Sequence, residues 1–292
     1  MRKRIVVFGG NGFIGSYLID ELEKRGHDIV SADLYKSQYV DEKYFTKCDI
    51  MDRQNVMDIC EDADIVYNFA GMANLDSAVE NPIRTIELNI IGNMNILEAC
   101  RYNHVERFIY ASSAYAMNDK GSFYGISKLS SEKIIEEYYK KYGLRFTIVR
   151  YGSVYGERNY SNNYIYNLIK FAIETGKIVH GGDGEEKREY IHAADVARLS
   201  ADIFECDDFI NRHLILTGVE VMKRKELFEM INEILGGDIE IEYKRDGYKN
   251  HYKTTPYSFR PILSKKLLPN PYIDMGQGMV ECIKNIYNEK DK

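Results

Sequence analysis

The 292-residue chain has no apolar run near the roughly 18 residues needed to span a bilayer, so no membrane segment is expected. Its basic start, MRKR, resembles the front of a signal peptide. Only Ile5 to Phe8 follow before the glycines begin, so the apolar stretch of such a peptide is missing and a cytoplasmic location is expected. Cysteine is scarce. Cys48, Cys60, Cys100, Cys206 and Cys282 are scattered, odd in number and without a C-x-x-C pair. That pattern speaks against a disulfide framework and for reduced, mostly buried thiols. The six histidines show no ligand spacing, so no metal site is expected. An excess of positive charge is also absent, and a net charge of −6 argues against a nucleic-acid partner. No internal repeat, low-complexity segment or obvious linker is visible. What remains is 45% hydrophobic and 29% charged residues, an ordinary globular composition. The length suits one large domain or a domain plus a lobe.

What is present begins at residue 4 with RIVVFGGNGFIG. Ile5 to Phe8 form a short apolar run that reads as a buried parallel strand. It breaks into Gly9, Gly10, Gly12 and Gly15, and an amphipathic helix follows from Ser16. Strand, glycine turn and helix N-terminus in that order form a receptor for a pyrophosphate. Gly9 and Gly12 permit the tight turn, with Phe13 and Ile14 beside it, and Gly15 permits close packing of helix on strand. The spacing, Gly-x-x-Gly-x-x-Gly, is one residue longer at its first step than the usual fingerprint.

The first half alternates strand and helix. Strands are expected at 4–8, 28–33, 44–48, 64–69, 106–111 and 145–150, with helices near 12–25, 52–60, 82–102 and 123–142. Repeated βα units predict an α/β fold with a doubly wound parallel sheet, a Rossmann fold. After residue 155 the pattern loosens. It gives a helix in YSNNYIYNLIKFAIETGK, two extended pieces around a glycine-rich loop, a helix capped by Asp195 and another helix at 224–235, with 253–292 mixed. The expected division is a dinucleotide-binding domain over 1–155, rejoined by 189–217, and a discontinuous C-terminal substrate lobe built mainly from 156–292.

Asp33 closes the second strand, where a carboxylate can accept hydrogen bonds from both ribose hydroxyls of an adenosine and repel a 2′-phosphate. That favours NAD over NADP. Lys36 is a nearby cation of opposite tendency, and the plain alternative for Asp33 is a strand-end loop residue. Asp49 and Ile50 follow the third strand and can meet an adenine edge; Asp49 and Asp52 as a helix N-cap pair is the alternative. Phe69, Ala70 and Gly71 end the fourth strand, where a dinucleotide crosses the sheet. Residues 108–128 read FIYASSAYAMNDKGSFYGISK. Tyr124 and Lys128 share a helical face. An ammonium beside a phenol lowers its pKa and suits it to acid–base work on a hydroxyl. Ser112 and Ser113 end the preceding strand and can hold the same oxygen. With 24 tyrosines in the chain, such a pair also arises by chance.

These pieces occur in a familiar order: GGNGFIG, Asp33, NFAG, DSAVENP, Asn89 in ELNIIGNMNILEAC, YASSA, YGISK, RYGSVYGER and GDGEEKREYIHAADVA. The chain resembles the extended short-chain dehydrogenase/reductase superfamily, in its NAD-dependent nucleotide-sugar epimerase/dehydratase branch, over about residues 4–200. The resemblance implies that Tyr124 is the acid/base and that Lys128 binds the nicotinamide ribose and tunes Tyr124. It implies that Ser113 bonds the reacting hydroxyl, that Asn89 belongs to the cofactor site, and that Arg188 contacts a substrate diphosphate. A guanidinium fork suits phosphate oxygens, although EEKRE by itself reads as a solvated surface loop. Three departures stand out. The connection from Ser113 to Tyr124 is short, with a tight turn expected at Asn118–Gly121. SSA lacks the Asp-Glu pair of the sugar 4,6-dehydratases, which disfavours dehydration. The C-terminal arginine-arginine-glycine-aspartate element is missing, leaving Arg260 as the nearest second phosphate contact.

The implied activity is NAD-dependent epimerisation of a nucleotide-diphosphate sugar at C4 through a 4-keto intermediate. The alternatives are an NAD(P)-dependent nucleotide-sugar reductase or dehydrogenase of the same fold and a non-catalytic NAD(P)-binding sensor. Helices 82–102 and 123–142 carry apolar residues on more than one face (Ile90, Met94, Leu97; Ile134, Ile135, Tyr138, Tyr139). In related enzymes the matching helices pair as a four-helix bundle, which implies a homodimer. The alternative is burial of both faces within one subunit.

Overall fold

A computed structural model describes residues 2–117, 120–244, 251–254 and 264–290. The strands are β1 (Arg4–Phe8), β2 (Asp28–Asp33), β3 (Phe45–Lys47), β4 (Ile65–Asn68), β5 (Arg107–Ser113), β6 (Phe146–Tyr151), β7 (Ser153–Tyr155), β8 (Lys177–His180), β9 (Lys187–His192), β10 (Arg212–Leu216), β11 (Val221–Lys223), β12 (Glu240–Tyr243) and β13 (Lys265–Leu267). The helices are α1 (Phe13–Lys24), α2 (Arg53–Ile59), α3 (Leu75–Glu80), α4 (Pro82–Ile86), α5 (Asn93–Tyr102), α6 (Ser122–Tyr142), α7 (Tyr164–Thr175), α8 (Ala193–Glu205), α9 (Arg224–Ile234) and α10 (Met275–Lys290).

Eight strands form one parallel sheet in the order β13-β10-β6-β5-β4-β1-β2-β3. Both of its faces are covered, which is why its central strands read as unbroken apolar runs. Val6 and Phe8 enter one core with Ile96 and Leu97 of α5, while Ile5 and Val7 enter the other with Leu18 of α1 and Val196 of α8. The chain winds outward from β1 through β2 to β3, then restarts at β4 on the other side. That reversal opens a crevice at the carboxyl ends of β1 and β4, the position where such sheets bind ligands.

The second half contributes to both regions. β10 and β13 extend the main sheet. β11, β9 and β7 form a small sheet of their own, and β12 pairs with β8. A third core gathers Ile165 and Ile169 of α7, Leu227 and Phe228 of α9, and Met279 and Cys282 of α10.

The structure corrects two local expectations and refines a third. Residues 82–102 are not one regular helix: Glu87–Gly92 form a π-helical turn between α4 and α5. Asp195 does not cap α8; His192 is the N-cap, its Nδ1 accepting the Ala194 N–H at 3.3 Å. Within 253–292, Met275–Lys290 is a continuous helix. The five cysteines are free thiols, four of them buried.

Candidate active site

The turn after β1 is shaped for close approach. Gly9 has φ +75°, and a Cβ there would sit 2.6 Å from the Ala70 backbone nitrogen. A Cβ on Gly15 would overlap the Gly9 carbonyl oxygen, so α1 can pack on the turn only with glycine at that position. Gly12 caps α1 without a side chain, which leaves the first-turn N–H groups facing the crevice. Open N–H groups at a positive helix end suit an anion. Asn11, between two of the glycines, was not singled out in the sequence. Its Nδ2 donates to Tyr35 O (2.7 Å), its Oδ1 accepts from Ser31 (2.6 Å), and its N–H donates to Asp33 Oδ2 (3.1 Å). Asn11 thereby locks the glycine turn to the end of β2.

The crevice has a volume of about 430 Å³. Gly9, Gly12, Phe13, Ile14 and Gly15 line one end; Asp33, Asp49 and Ile50 the side; and Phe69, Ala70 and Gly71 the floor. Burial raises the Asp33 carboxyl above its usual range, opposed by the backbone N–H groups of Asn11, Leu34 and Tyr35. Lys36 pairs with Glu42 on the surface. Asp52 caps α2 by accepting from Asn55, whereas Asp49 accepts from Met51 and also lines the crevice. A glycine cradle, an open helix end and a strand-end carboxylate fit a dinucleotide without a 2′-phosphate.

Ser113, Tyr124 and Lys128 meet at the far end of the same crevice. Ser112 also lines the crevice, but its Oγ donates to Glu132 Oε1 (2.5 Å). Lys128 Nζ donates to Ala111 O (2.8 Å) and lies 4.8 Å from the Tyr110 ring centroid and 5.9 Å from that of Tyr124. The expected lowering of the Tyr124 pKa is not what the structure gives. Burial pushes the phenol up, a hydrogen bond to Ser113 acts in the opposite direction, and burial wins. Lys128 is brought down to about 8 by burial, against the pull of Glu132.

Arg188 is not a surface charge. It sits on β9 opposite Met222 and is 2% exposed, its guanidinium 4.1 Å from the Tyr252 ring centroid. Tyr252 packs on Tyr115 (4.7 Å between centroids), and Tyr115 meets the edge of Tyr124 (6.1 Å) and bonds His251 Nδ1 (2.6 Å). A line of side chains thus runs from the buried arginine to Tyr124. Arg260 and Asn118–Asp119 lie outside the described residues.

The family model for the NAD dependent epimerase/dehydratase family matches residues 5–212. The chain belongs to that family. It is 28% identical to the UDP-N-acetyl-alpha-D-glucosaminuronate decarboxylase of Bacillus cytotoxicus, a match over 97% of this chain and 98% of that protein. The crystal structure of UDP-glucose 4-epimerase from Thermotoga maritima, with UDP-glucose, superimposes with a TM-score of 0.85 at 26% identity. That match covers 99% of this chain and 100% of the other. The UDP-N-acetylglucosamine 4-epimerase of Methanobrevibacter ruminantium, in complex with UDP-N-acetylmuramic acid, gives 0.82 at 25% identity over 99% of each chain. The protein is an NAD-dependent enzyme of this group. Among the described residues, no helix is long and apolar enough to cross a membrane.

The side chain of Asn89, implied as part of the cofactor site, bonds the loop after β4 and α6. Its amide accepts from Met72 N (2.7 Å) and donates to Met72 O (3.1 Å) and Ser127 Oγ (2.9 Å). The π turn that carries Asn89 also places its carbonyl 2.6 Å from Ser131 Oγ. Asn89 therefore ties the loop after β4 to α6.

One cluster has the makings of a cation site: ligand-type atoms of Glu157, His192 and Glu281 lie within 4.8 Å of one another. His192 Nδ1 accepts the Ala194 N–H, and Nε2 lies 3.3 and 3.8 Å from the two carboxylates. Burial pushes the Glu157 carboxyl up, but hydrogen bonds from His192, the backbone and Tyr17 outweigh it and hold it at about 2.

The position of Lys128 has a consequence for pH. Its ammonium is lost as pH rises through about 8, whereas in the unfolded chain it persists to about 10.5. The group costs stability below pH 8, and that cost is relieved between 8 and 10.5. If catalysis needs the ammonium, kcat/KM declines on an alkaline limb near pH 8. Lys128→Arg moves that limb upward, as a pH–rate profile would record; an unmoved limb would assign it to another group.

Proposed function

We propose that the protein is an NAD-dependent epimerase of a nucleotide-activated sugar, inverting C4 through a 4-keto intermediate. The observation that carries this reading is the convergence of Ser113, Tyr124 and Lys128 at the far end of a crevice whose other end is the glycine cradle. The names of the two solved epimerases above support it, as does the missing Asp-Glu pair after Ser113.

In this reading Ser113 holds the C4 hydroxyl against Tyr124. The tyrosine removes the hydroxyl proton as the carbon is oxidised and returns it when the carbonyl is reduced from the other face. When bound, NAD supplies the chemistry of accepting a hydride and giving it back. Lys128 holds positive charge beside the phenol, so that the phenolate form becomes accessible despite burial. Arg188 anchors the diphosphate while the keto sugar turns, with Arg260 as a second contact. We assign residues 1–155 with 189–217 mainly to the cofactor side and the rest of 156–292 mainly to the substrate side.

The test is incubation with UDP-, GDP-, CDP- and dTDP-sugars, with products resolved by chromatography and absorbance followed at the NADH band. Interconversion of C4 epimers without net NADH supports the assignment. Net NADH accumulation or consumption would replace it with a one-way oxidoreductase. Binding of NAD with no turnover of any sugar would point to a sensor.

We also propose a homodimer through α4 to α6. Ile83, Ile91, Met94, Phe123 and Ile126 are exposed there, whereas Leu97, Ile135 and Tyr138 are buried within the subunit. Sedimentation should give a dimer for the native chain and a monomer for Ile126→Glu. A native monomer at micromolar concentration would end this idea.

A further inference from the structure

The outer wall of the crevice carries contacts that hydride and proton transfer do not require. Between β7 and α7 the chain runs through residues 156–163. Asn163 caps α7, and its Nδ2 donates to Gly156 O (2.6 Å) and Arg158 O (2.9 Å), drawing the neck of this loop together. Asn162 lines the crevice.

From the middle of the loop, Tyr160 reaches the glycine turn. Its Oη donates to the Asn11 carbonyl (2.8 Å) and accepts from Ser37 Oγ (2.7 Å), in the segment after Asp33. The ring packs against Phe13 (5.9 Å between centroids) and Tyr39 (5.4 Å). The loop is fastened on both sides of this contact. The Arg158 guanidinium lies 4.0 Å from the Tyr17 ring centroid and pairs with Asp20, both on α1. Asn159 donates to Glu289 near the end of α10 (3.0 Å), and Glu289 also accepts from Tyr166 on α7 (3.0 Å). Glu157 meets His192 at the root. One short loop is therefore fastened to the glycine turn, to α1 and to α10, with Asn162 on the crevice.

We propose that residues 157–163 form a clasp over the pyrophosphate and adenosine portion of the dinucleotide, latched by Tyr160, and that it keeps NAD on the enzyme between turnovers. A cofactor that returns its hydride in every cycle has no need to exchange, so slow release carries no kinetic penalty. In this proposal Asn162 faces the dinucleotide from the loop, and the bonds of Tyr160 to Asn11 and Ser37 hold the loop against the glycine turn. The inference rests on the proposed cycle, in which NAD takes up and returns its hydride, and not on the identity of the sugar.

The test uses the full chain with NAD and no sugar. NAD retained after desalting is quantified by chromatography, and its release rate is measured by trapping freed NAD with a coupled dehydrogenase. The native protein should retain NAD near one per chain. Tyr160→Phe, which keeps the ring and loses the Oη bonds, should release NAD about tenfold faster, equivalent to about 1.4 kcal/mol. Ser37→Ala, which removes the bond to Tyr160 and one accepted from the Tyr39 N–H at a partly exposed position, should give a smaller increase in the same direction. Thermal melts of the NAD-free variants should match the native protein, separating latch from scaffold. Release from both variants within twofold of native, or loss of NAD from the native protein on desalting, would overturn the proposal.

Discussion

Tyr124→Phe is expected to lower kcat by about 10²–10⁴-fold, the range for loss of a positioned acid/base, with NAD still bound. The variant removes one oxygen from a side chain already packed at the end of the crevice, against Leu75 and Tyr115. The ring survives, so the loss reports proton transfer and not collapse of the site. The argument depends on the electrostatic balance at this phenol. Burial raises its pKa and Ser113 works against that. A phenol held protonated is a reluctant base until a second influence favours its anion, and Lys128 stands one helical turn further on, its Nζ 5.9 Å from the ring centroid. The measurement is steady-state turnover of the sugar identified by the nucleotide-sugar panel, beside NAD occupancy by chromatography. Turnover within threefold of native would remove Tyr124 from the mechanism and leave the fold without an assigned base.

The largest expected effect on stability comes from Glu132, which is wholly buried between α6 and β6. Arg150 grips it with two hydrogen bonds, Nε to Oε1 (2.9 Å) and Nη2 to Oε2 (2.6 Å). Ser112 adds a third, and Arg150 Nη1 continues to Ser264 Oγ (2.7 Å). Breaking a buried pair by removing one partner typically costs about 3–5 kcal/mol, because the remaining charge is stranded away from water. Glu132→Ala should fall in that range by urea denaturation. Replacing both residues by apolar ones of similar volume, as in Glu132→Leu with Arg150→Met, should recover most of it. A single-variant loss below 1 kcal/mol would show that water reaches the pair. The position couples stability to chemistry, since Ser112 adjoins Ser113 and Glu132 helps Lys128 keep its proton.

Much of the cofactor end was legible because its chemistry is local. A strand, a glycine turn and a helix start are contiguous, and Asp33 ends the adjacent strand, so RIVVFGGNGFIG and one downstream carboxylate locate the crevice. Ser113, Tyr124 and Lys128 were readable for the same reason. The rest depends on partners distant in sequence. Arg188 sits in EEKRE, a composition that reads as solvent-facing; its burial comes from β11 and from Tyr252, elements that follow much later in the chain. Glu132 and Arg150 are individually ordinary helix and strand residues, and nothing local marks them as a pair. The π turn at Glu87–Gly92 is set by Asn89 bonding a loop on one side and α6 on the other, which periodicity does not register. His192 displaced Asp195 as the cap of α8 because an imidazole nitrogen can accept as a carboxylate does, a role for which histidine is not the usual choice. In α10 the buried set Gly278, Met279, Cys282 and Ile286 keeps helical spacing, but Gly276 and Gly278 obscure the start.

The pairing of β6 with β10 makes assembly of the sheet a matter of timing. All six residues of β6 are buried, and the covering strand on that side is Arg212–Leu216. As the chain is synthesised, β1 to β6 are complete by Tyr151, yet their sheet still presents an apolar edge until residues 212–216 have emerged from the ribosome. Such an edge is a template for pairing with any other strand. The interval in which α7, β8, β9 and α8 are being made is therefore the interval in which a nascent chain is most exposed to mispairing. The central sheet is not covered on that flank until α7, β8, β9 and α8 have all been made.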